Sequence, residues 1–306
     1  MTSTDIAMRA LDGMQLSAVL VLLAAGFALV ANVMRFVNLA HGAVYGFAVA
    51  VGVAVAGLVR DPIIAVAVSI AAAALLGLAL ERYVLPPFLA ADRVTQLLIA
   101  VAVAFVLADV ATVLAVSVFA PPPALPLPFA RPIELLPGLV VPLLRLGQIG
   151  LGILAAVVLV YVVQGTRFGL QLRAVAADPD AAATLGIDQA PLRVTTFVVA
   201  AGLAGLAAAV AVSADGFPSH GSDIALLYVA LAAAVAGVRS LPALAGICLL
   251  IGFADTLGRS LLTATMTRFF GLAEEAGQGT FLLVLFGVAA IVLAVRPRGI
   301  VAPAQE

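Results

Sequence analysis

Charge-free apolar stretches of nearly constant length recur along this sequence, at 13–34, 36–59, 62–80, 110–130, 146–166, 194–214 and 276–295. A hydrocarbon layer about 30 Å thick is crossed by about 20 helical residues, so each stretch fits the ruler of a bilayer. Two further regions carry charges inside an apolar setting: 95–119 holds Asp109, and 240–262 holds Asp255 and Arg259. A shorter run, 224–238, joins the latter through Arg239-Ser240-Leu241-Pro242. The count is eight or nine spans. Alternation at period two is absent, so the spans are helices rather than barrel strands. Composition agrees: 64% of residues are hydrophobic and 10% charged, against about 25% charged in soluble domains. A water-soluble exterior cannot be built from such a pool. The expected fold is all-α, a polytopic integral membrane protein forming a single unit over 1–306.

The same composition excludes several chemistries. All 15 cationic side chains are arginine. Without lysine there is neither a P-loop nor a Schiff-base site. Cys248 is alone, and with His41 and His220 it has no zinc-ligand spacing. No nucleophile–base pair stands out, so we expect no catalytic residues, no metal, no cofactor and no enzymatic activity. A net charge of −1 gives no reason to expect nucleic acid as a partner. Membrane lipid is the expected surroundings, and with no Trp present, Tyr45, Tyr83, Tyr161 and Tyr228 share the interfacial anchoring with Arg. Ahead of the first stretch, Asp5 and Asp12 outweigh Arg9, the wrong charge for a secretory leader, so a retained helix is expected.

Arginine distribution orients the spans. With the 165–193 loop placed in the cytoplasm, nine arginines fall inside (35, 82, 93, 167, 173, 193, 239, 296, 298) and six outside or near it (9, 60, 131, 145, 259, 268). The Pro-rich segment 120–145 then lies outside, where we expect a semi-rigid connector.

The 165–193 loop has strong local signals. Asp178 is a good N-cap, Pro179 suits the first helical position, and Asp180 favours the positive dipole end. Ala181 to Leu185 tolerate helix, and Gly186 suits the left-handed position that ends one. These predict a helix of about two turns, too short to persist without packing.

Polar groups at membrane depth are the remaining candidates. Asn38, His41 and Gly42 open the 36–59 stretch, which reads either as an ordinary span with a polar start or as a broken, re-entrant helix. His41 reads as a headgroup-level residue or as a contact in the pathway. Asp109 needs a partner from another helix, since a charge at mid-bilayer costs about 2.5–3.5 kcal/mol on insertion scales. Asp255 and Arg259 have the spacing of an intrahelical ion pair; the alternative is that Asp255 lines a pathway. The series Ala200-Ala201-Gly202, Ala204-Gly205 and Ala207-Ala208-Ala209 reads as close helix packing. His220 falls in a Gly/Ser/Pro turn, 216–223.

Several strings together resemble one family: the bacterial ABC-importer permeases of the branched-chain amino acid type. They are Arg35-Phe36-Val37-Asn38-Leu39-Ala40-His41-Gly42, Glu81-Arg82, Thr166-Arg167-Phe168-Gly169 with Arg173-Ala174, Leu185-Gly186-Ile187, Leu203-Ala204-Gly205-Leu206-Ala207 and Arg296-Pro297-Arg298-Gly299. Their order matches over nearly the whole chain. The chain departs from the family pattern at Ala236-Gly237-Val238-Arg239-Ser240-Leu241-Pro242 and at Leu85-Pro86-Pro87-Phe88. The resemblance implies a multi-pass protein of the bacterial inner membrane. It implies a second homologous permease subunit, two cytoplasmic ATPase subunits and a periplasmic substrate-binding protein. It also makes the 165–190 loop the coupling element, with Arg173, Ala174, Asp178, Pro179, Ala182, Gly186 and Ile187 carrying that role. Asn38, His41, Gly42, Asp109 and Asp255 are the candidates for the translocation pathway. The alternatives are the same machine carrying urea, short amides or a sugar, and an ion-driven secondary transporter with Asp109 and Asp255 as coupling carboxylates.

Overall fold

The computed structural model describes residues 3–59, 61–89, 91–118, 131–211, 221–238, 240–270 and 274–296. Helices dominate. They are α1 (Ser3–Met34), α2 (His41–Val59), α3 (Pro62–Ala79), α4 (Arg93–Val118), α5 (Leu143–Gly165), α6 (Arg167–Ala177) and α7 (Pro179–Thr184). After these come α8 (Gln189–Ala211), α9 (Ser222–Ala236), α10 (Leu241–Phe253), α11 (Arg259–Phe270) and α12 (Glu274–Val295). Single π turns extend α3 through Leu80–Val84 and join α10 to α11 through Ala254–Gly258.

Among the described residues seven helices are long and apolar enough to cross a membrane, and two shorter apolar ones, Ser222–Ala236 and Gly279–Val295, accompany them. The overlapping stretches 95–119 and 110–130 resolve as the one helix α4, while 119–130 lies outside the described residues, as does the 212–220 part of the turn holding His220.

α1 is the hub. Of its most apolar window 72% is buried, against 11% for α4. α8 lies against both α1 and α3, and small residues make that possible: Ala200, Ala204, Ala207 and Ala208 are at most 1% exposed. A methyl group added at Gly205 would stand 2.8 Å from Ile70 Cα. Without a hydrophobic drive between helices in lipid, such close backbone approach supplies the dispersion contact that holds them. The small-residue series is therefore packing, as its composition implied.

The Pro-rich segment differs from the semi-rigid connector expected of it. Its described half forms an antiparallel hairpin, β1 (Pro132–Leu136) and β2 (Leu139–Pro142), with Pro132 opposite Pro142 and Ile133 opposite Val141. Leu139 and Val141 bury one face of β2, and β2 leans on α1 and α5. Alternating apolar residues around Pro137-Gly138 win over the prolines, which sit at strand ends where a missing N–H costs no ladder bond.

Candidate functional site

One end of the bundle, where α1 and α5 finish and α8 begins, carries two short helices, α6 and α7. Thr166 starts α6 twice over: its Oγ1 accepts from Gly169 N (3.2 Å) and donates to Val162 O (2.6 Å). Gly169 presses on the carbonyls of Val162 and Val163, leaving no room for a Cβ. The Arg173 guanidinium donates to Val163 O, closing an orphan carbonyl at the end of α5. α7 follows the expected capping: the Asp178 carboxylate accepts from Asp180 N (3.0 Å) and Ala181 N (3.1 Å), and Pro179 is the first helical residue. Gly186 closes it at φ +81°, where its missing Cβ is needed.

Packing holds the pair in place, since six residues of helix cannot persist alone. Leu172, Val175 and Ala182 are at most 3% exposed and join Leu29, Leu159, Val163 and Leu192 in one cluster, with Ala174 and Ile187 against it. Of the residues assigned to coupling, Ala182 is thus an inward anchor, and Arg173 and Asp178 shape the foot. Arg173, Asp178 and Gly186 are exposed on the foot, and beside them stand two exposed apolar residues not assigned to coupling, Leu185 (79% exposed) and Leu170 (60% exposed). α6 itself was also unforeseen, although Phe168, Leu172 and Val175 fall on one helical face and Thr166 is a standard cap.

The second region is the start of α2. Residues 35–40 are not helical, and α2 begins only at His41, from which it runs unbroken to Val59, long and apolar enough to cross a membrane. Asn38 is buried and its Oδ1 accepts from Ala40 N at 3.1 Å. His41 is 2% exposed, with Nε2 3.1 Å from Leu23 O of α1. Leu23 lies 34 − 23 = 11 residues before the end of α1, about 16 Å down its axis. His41 is therefore held against the side of α1, and the chain folds back into the bundle before α2 starts. Gly42 lies under Leu226 of α9.

The two spanning carboxylates part company. Asp255, 1% exposed, is ion-paired to Arg259 across the π turn and accepts from Tyr228 Oη at 2.5 Å. Arg259 also lies over the Phe281 ring at 5.6 Å. The intrahelical pair read from the spacing is present, and the carboxylate faces protein rather than open space. Asp109 is exposed on α4 and has no hydrogen bond or ion pair among the described residues, contrary to the expected partner from another helix. It shares its outward stripe with Leu98, Phe105, Val106 and Val113.

Two polar clasps went unread because their partners are far apart in sequence. At the foot end, Glu81, 1% exposed, accepts from Arg193 Nε at 2.6 Å. At the other end Arg145 pairs with Asp12 and donates to Gln15 Oε1, while Gln15 Nε2 reaches Gln148 Oε1 (3.1 Å) and Val210 O (2.9 Å).

Two cavities open beside the foot. One of about 430 Å³ is lined by Arg173, Gln164 and Ser240 among others; one of about 520 Å³ is lined by Arg35, Arg93, Gln96 and Phe36 among others. Both share Asn32 of α1 and Ala176 of α6.

A search of curated proteins finds no match. Among solved structures, PsaBC from Streptococcus pneumoniae in complex with Fab contains a chain that superposes with a TM-score of 0.52. That match covers 95% of this chain and 91% of that one at 16% identity, a likeness of fold. The family described as "Branched-chain amino acid transport system / permease component" matches residues 9–294. Its match runs from α1 through α12, including the capped foot and the start of α2, and this chain belongs to that family of multi-span membrane permeases.

Proposed function

We propose that the chain is the membrane-spanning subunit of an ATP-driven importer of branched-chain or related amino acids in the bacterial inner membrane. It hydrolyses nothing itself: two cytoplasmic ATPases dock on α6 and α7, a second permease completes the pathway, and a periplasmic binding protein delivers cargo. The observation that carries this reading is the foot. α6 and α7 are capped, are anchored by Leu172, Val175 and Ala182, and present Leu185 and Leu170 outward. A rigid amphipathic foot rooted in α1, α5 and α8 passes a push from outside directly to the helices that pack around it, because a close-packed interior transmits displacement.

The test is to delete Asp178–Gly186 and to make Leu185→Asp separately. The deletion should abolish ATPase association and nucleotide-dependent uptake while membrane insertion persists. Leu185→Asp, at an exposed site, should weaken ATPase association with the fold intact. Normal uptake by the deletion variant would end the reading. The ion-driven alternative keeps one observation in its favour, the Asp109 carboxylate without a polar partner among the described residues. Uptake that is lost to an uncoupler but independent of nucleotide would establish it instead.

A further inference from the structure

The cavity of about 520 Å³ falls within the roughly 300–1,000 Å³ of small-molecule sites. Phe27, Phe36, Val37 and Leu97 give it an apolar part of its lining. Arg35 and Arg93 line it too, and neither guanidinium has a hydrogen bond or ion pair among the described residues. Arg35 is also the one described non-glycine residue with positive φ, +51°. That position, just after α1, is one a Gly or Asn fills with least strain, yet it holds an arginine facing a cavity.

The two amides of the cavity complete a pattern. Gln96 Nε2 donates to Leu89 O (2.9 Å) and Ala91 O (3.2 Å), and Asn32 Nδ2 donates to Val238 O (2.7 Å). With those donors committed, each amide has its carbonyl oxygen left to offer a ligand. The cavity thus combines two free cations, two acceptor oxygens and an aliphatic–aromatic wall. Guanidinium pairs bind carboxylates with charge-assisted, directional bonds. Amide oxygens accept from an ammonium, and the wall takes a branched aliphatic side chain.

We propose that this cavity is an inward-side way station for a zwitterionic aliphatic amino acid, with Arg35 and Arg93 on the carboxylate and Asn32 and Gln96 on the ammonium. The site rests on the importer reading and gives it a cargo position beside α6, since Ala176 of the foot lines the same space. Movement of the foot would then reshape the cavity directly.

The probe is radiolabelled leucine, bound at equilibrium to the full chain in nanodiscs, with 4-methylpentanoate and 3-methylbutylamine as competitors lacking the ammonium and the carboxylate. Arg35→Gln with Arg93→Gln should weaken leucine binding at least tenfold, and the Lys pair should recover part of it. If the double variant does not fold, Gln96→Glu serves: the added carboxylate should strengthen competition by 3-methylbutylamine and weaken that by 4-methylpentanoate. Unchanged leucine binding in the Arg→Gln pair, or unchanged competition in Gln96→Glu, overturns the site. So does a wild-type chain that binds no leucine but co-purifies phosphatidylglycerol lost in the Arg→Gln pair, which would make the cavity a headgroup site. The importer reading is judged separately by nucleotide-dependent uptake, so failure here with that uptake intact removes the way station alone.

Discussion

Asp255 and Asp109 both lie within apolar spanning helices, and the bundle treats them in opposite ways. Asp255 is enclosed by Arg259 and Tyr228 inside the chain. Asp109 faces out from α4, the least buried of the long spans. An ionised carboxylate needs a counter-charge or water wherever lipid is the solvent. Among the described residues Asp255 has met that requirement and Asp109 has not. Residues enclosed like Asp255 hold the bundle together; on the importer reading proposed above, residues left like Asp109 would lie where another component meets the bundle.

The largest effect is expected from Asp255→Asn. It keeps the size of the side chain but leaves Arg259 charged and half-buried without its anion. Breaking one side of a buried pair costs about 3–5 kcal/mol. Unfolding in mixed micelles should show a loss of that order, and Asp255→Asn with Arg259→Gln should recover most of it. A loss under about 1 kcal/mol would mean that the enclosure contributes little, and the contrast with Asp109 would collapse.

Glu81→Gln sharpens the comparison at an intermediate point. Glu81 is enclosed, but its partner Arg193 has a side chain 34% exposed, so water compensates part of the loss. We expect about 1–2 kcal/mol, below the Asp255 effect, as for a hydrogen bond to a charged group with one wet partner. A loss equal to that of Asp255→Asn would show that exposure of the partner is not what grades these sites.

The legibility of these features follows the distance over which their causes act. The spans were readable because a bilayer imposes its length on every segment separately. The α7 cap was readable because Asp178, Pro179 and Gly186 act on backbone within a few residues of themselves. The Asp255–Arg259 pair was readable because four residues of helix fix it. The depth of His41 was not, since it is set by the Leu23 carbonyl, 18 residues earlier on another helix. The Glu81–Arg193 clasp spans 112 residues, and nothing local distinguishes either partner. The hairpin was hidden by its own prolines, which dominate composition but sit at strand ends. The exposure of Leu170 and Leu185 is not legible locally, because an apolar residue in a polar loop gains meaning only once its neighbours are seen to turn inward.

The smallest effect on the isolated chain is expected at Asp109. Because its carboxylate touches no polar partner among the described residues, Asp109→Asn should change unfolding stability by no more than about 0.5 kcal/mol, as for surface sites. In the assembly proposed above the same substitution should act strongly, because a second permease or a water-filled pathway meeting α4 there would meet this carboxylate. Subunit association and uptake should therefore fall while the stability of the single chain holds. If Asp109→Asn instead destabilised the isolated chain by 2 kcal/mol or more, the carboxylate would have an internal role and α4 would cease to be the open side of the bundle. If neither stability nor assembly nor uptake moved, the residue would be a tolerated charge that reaches water at the membrane edge. Only a split result, with the chain intact and the assembly impaired, keeps the two carboxylates as markers of a closed interior and an unfinished face.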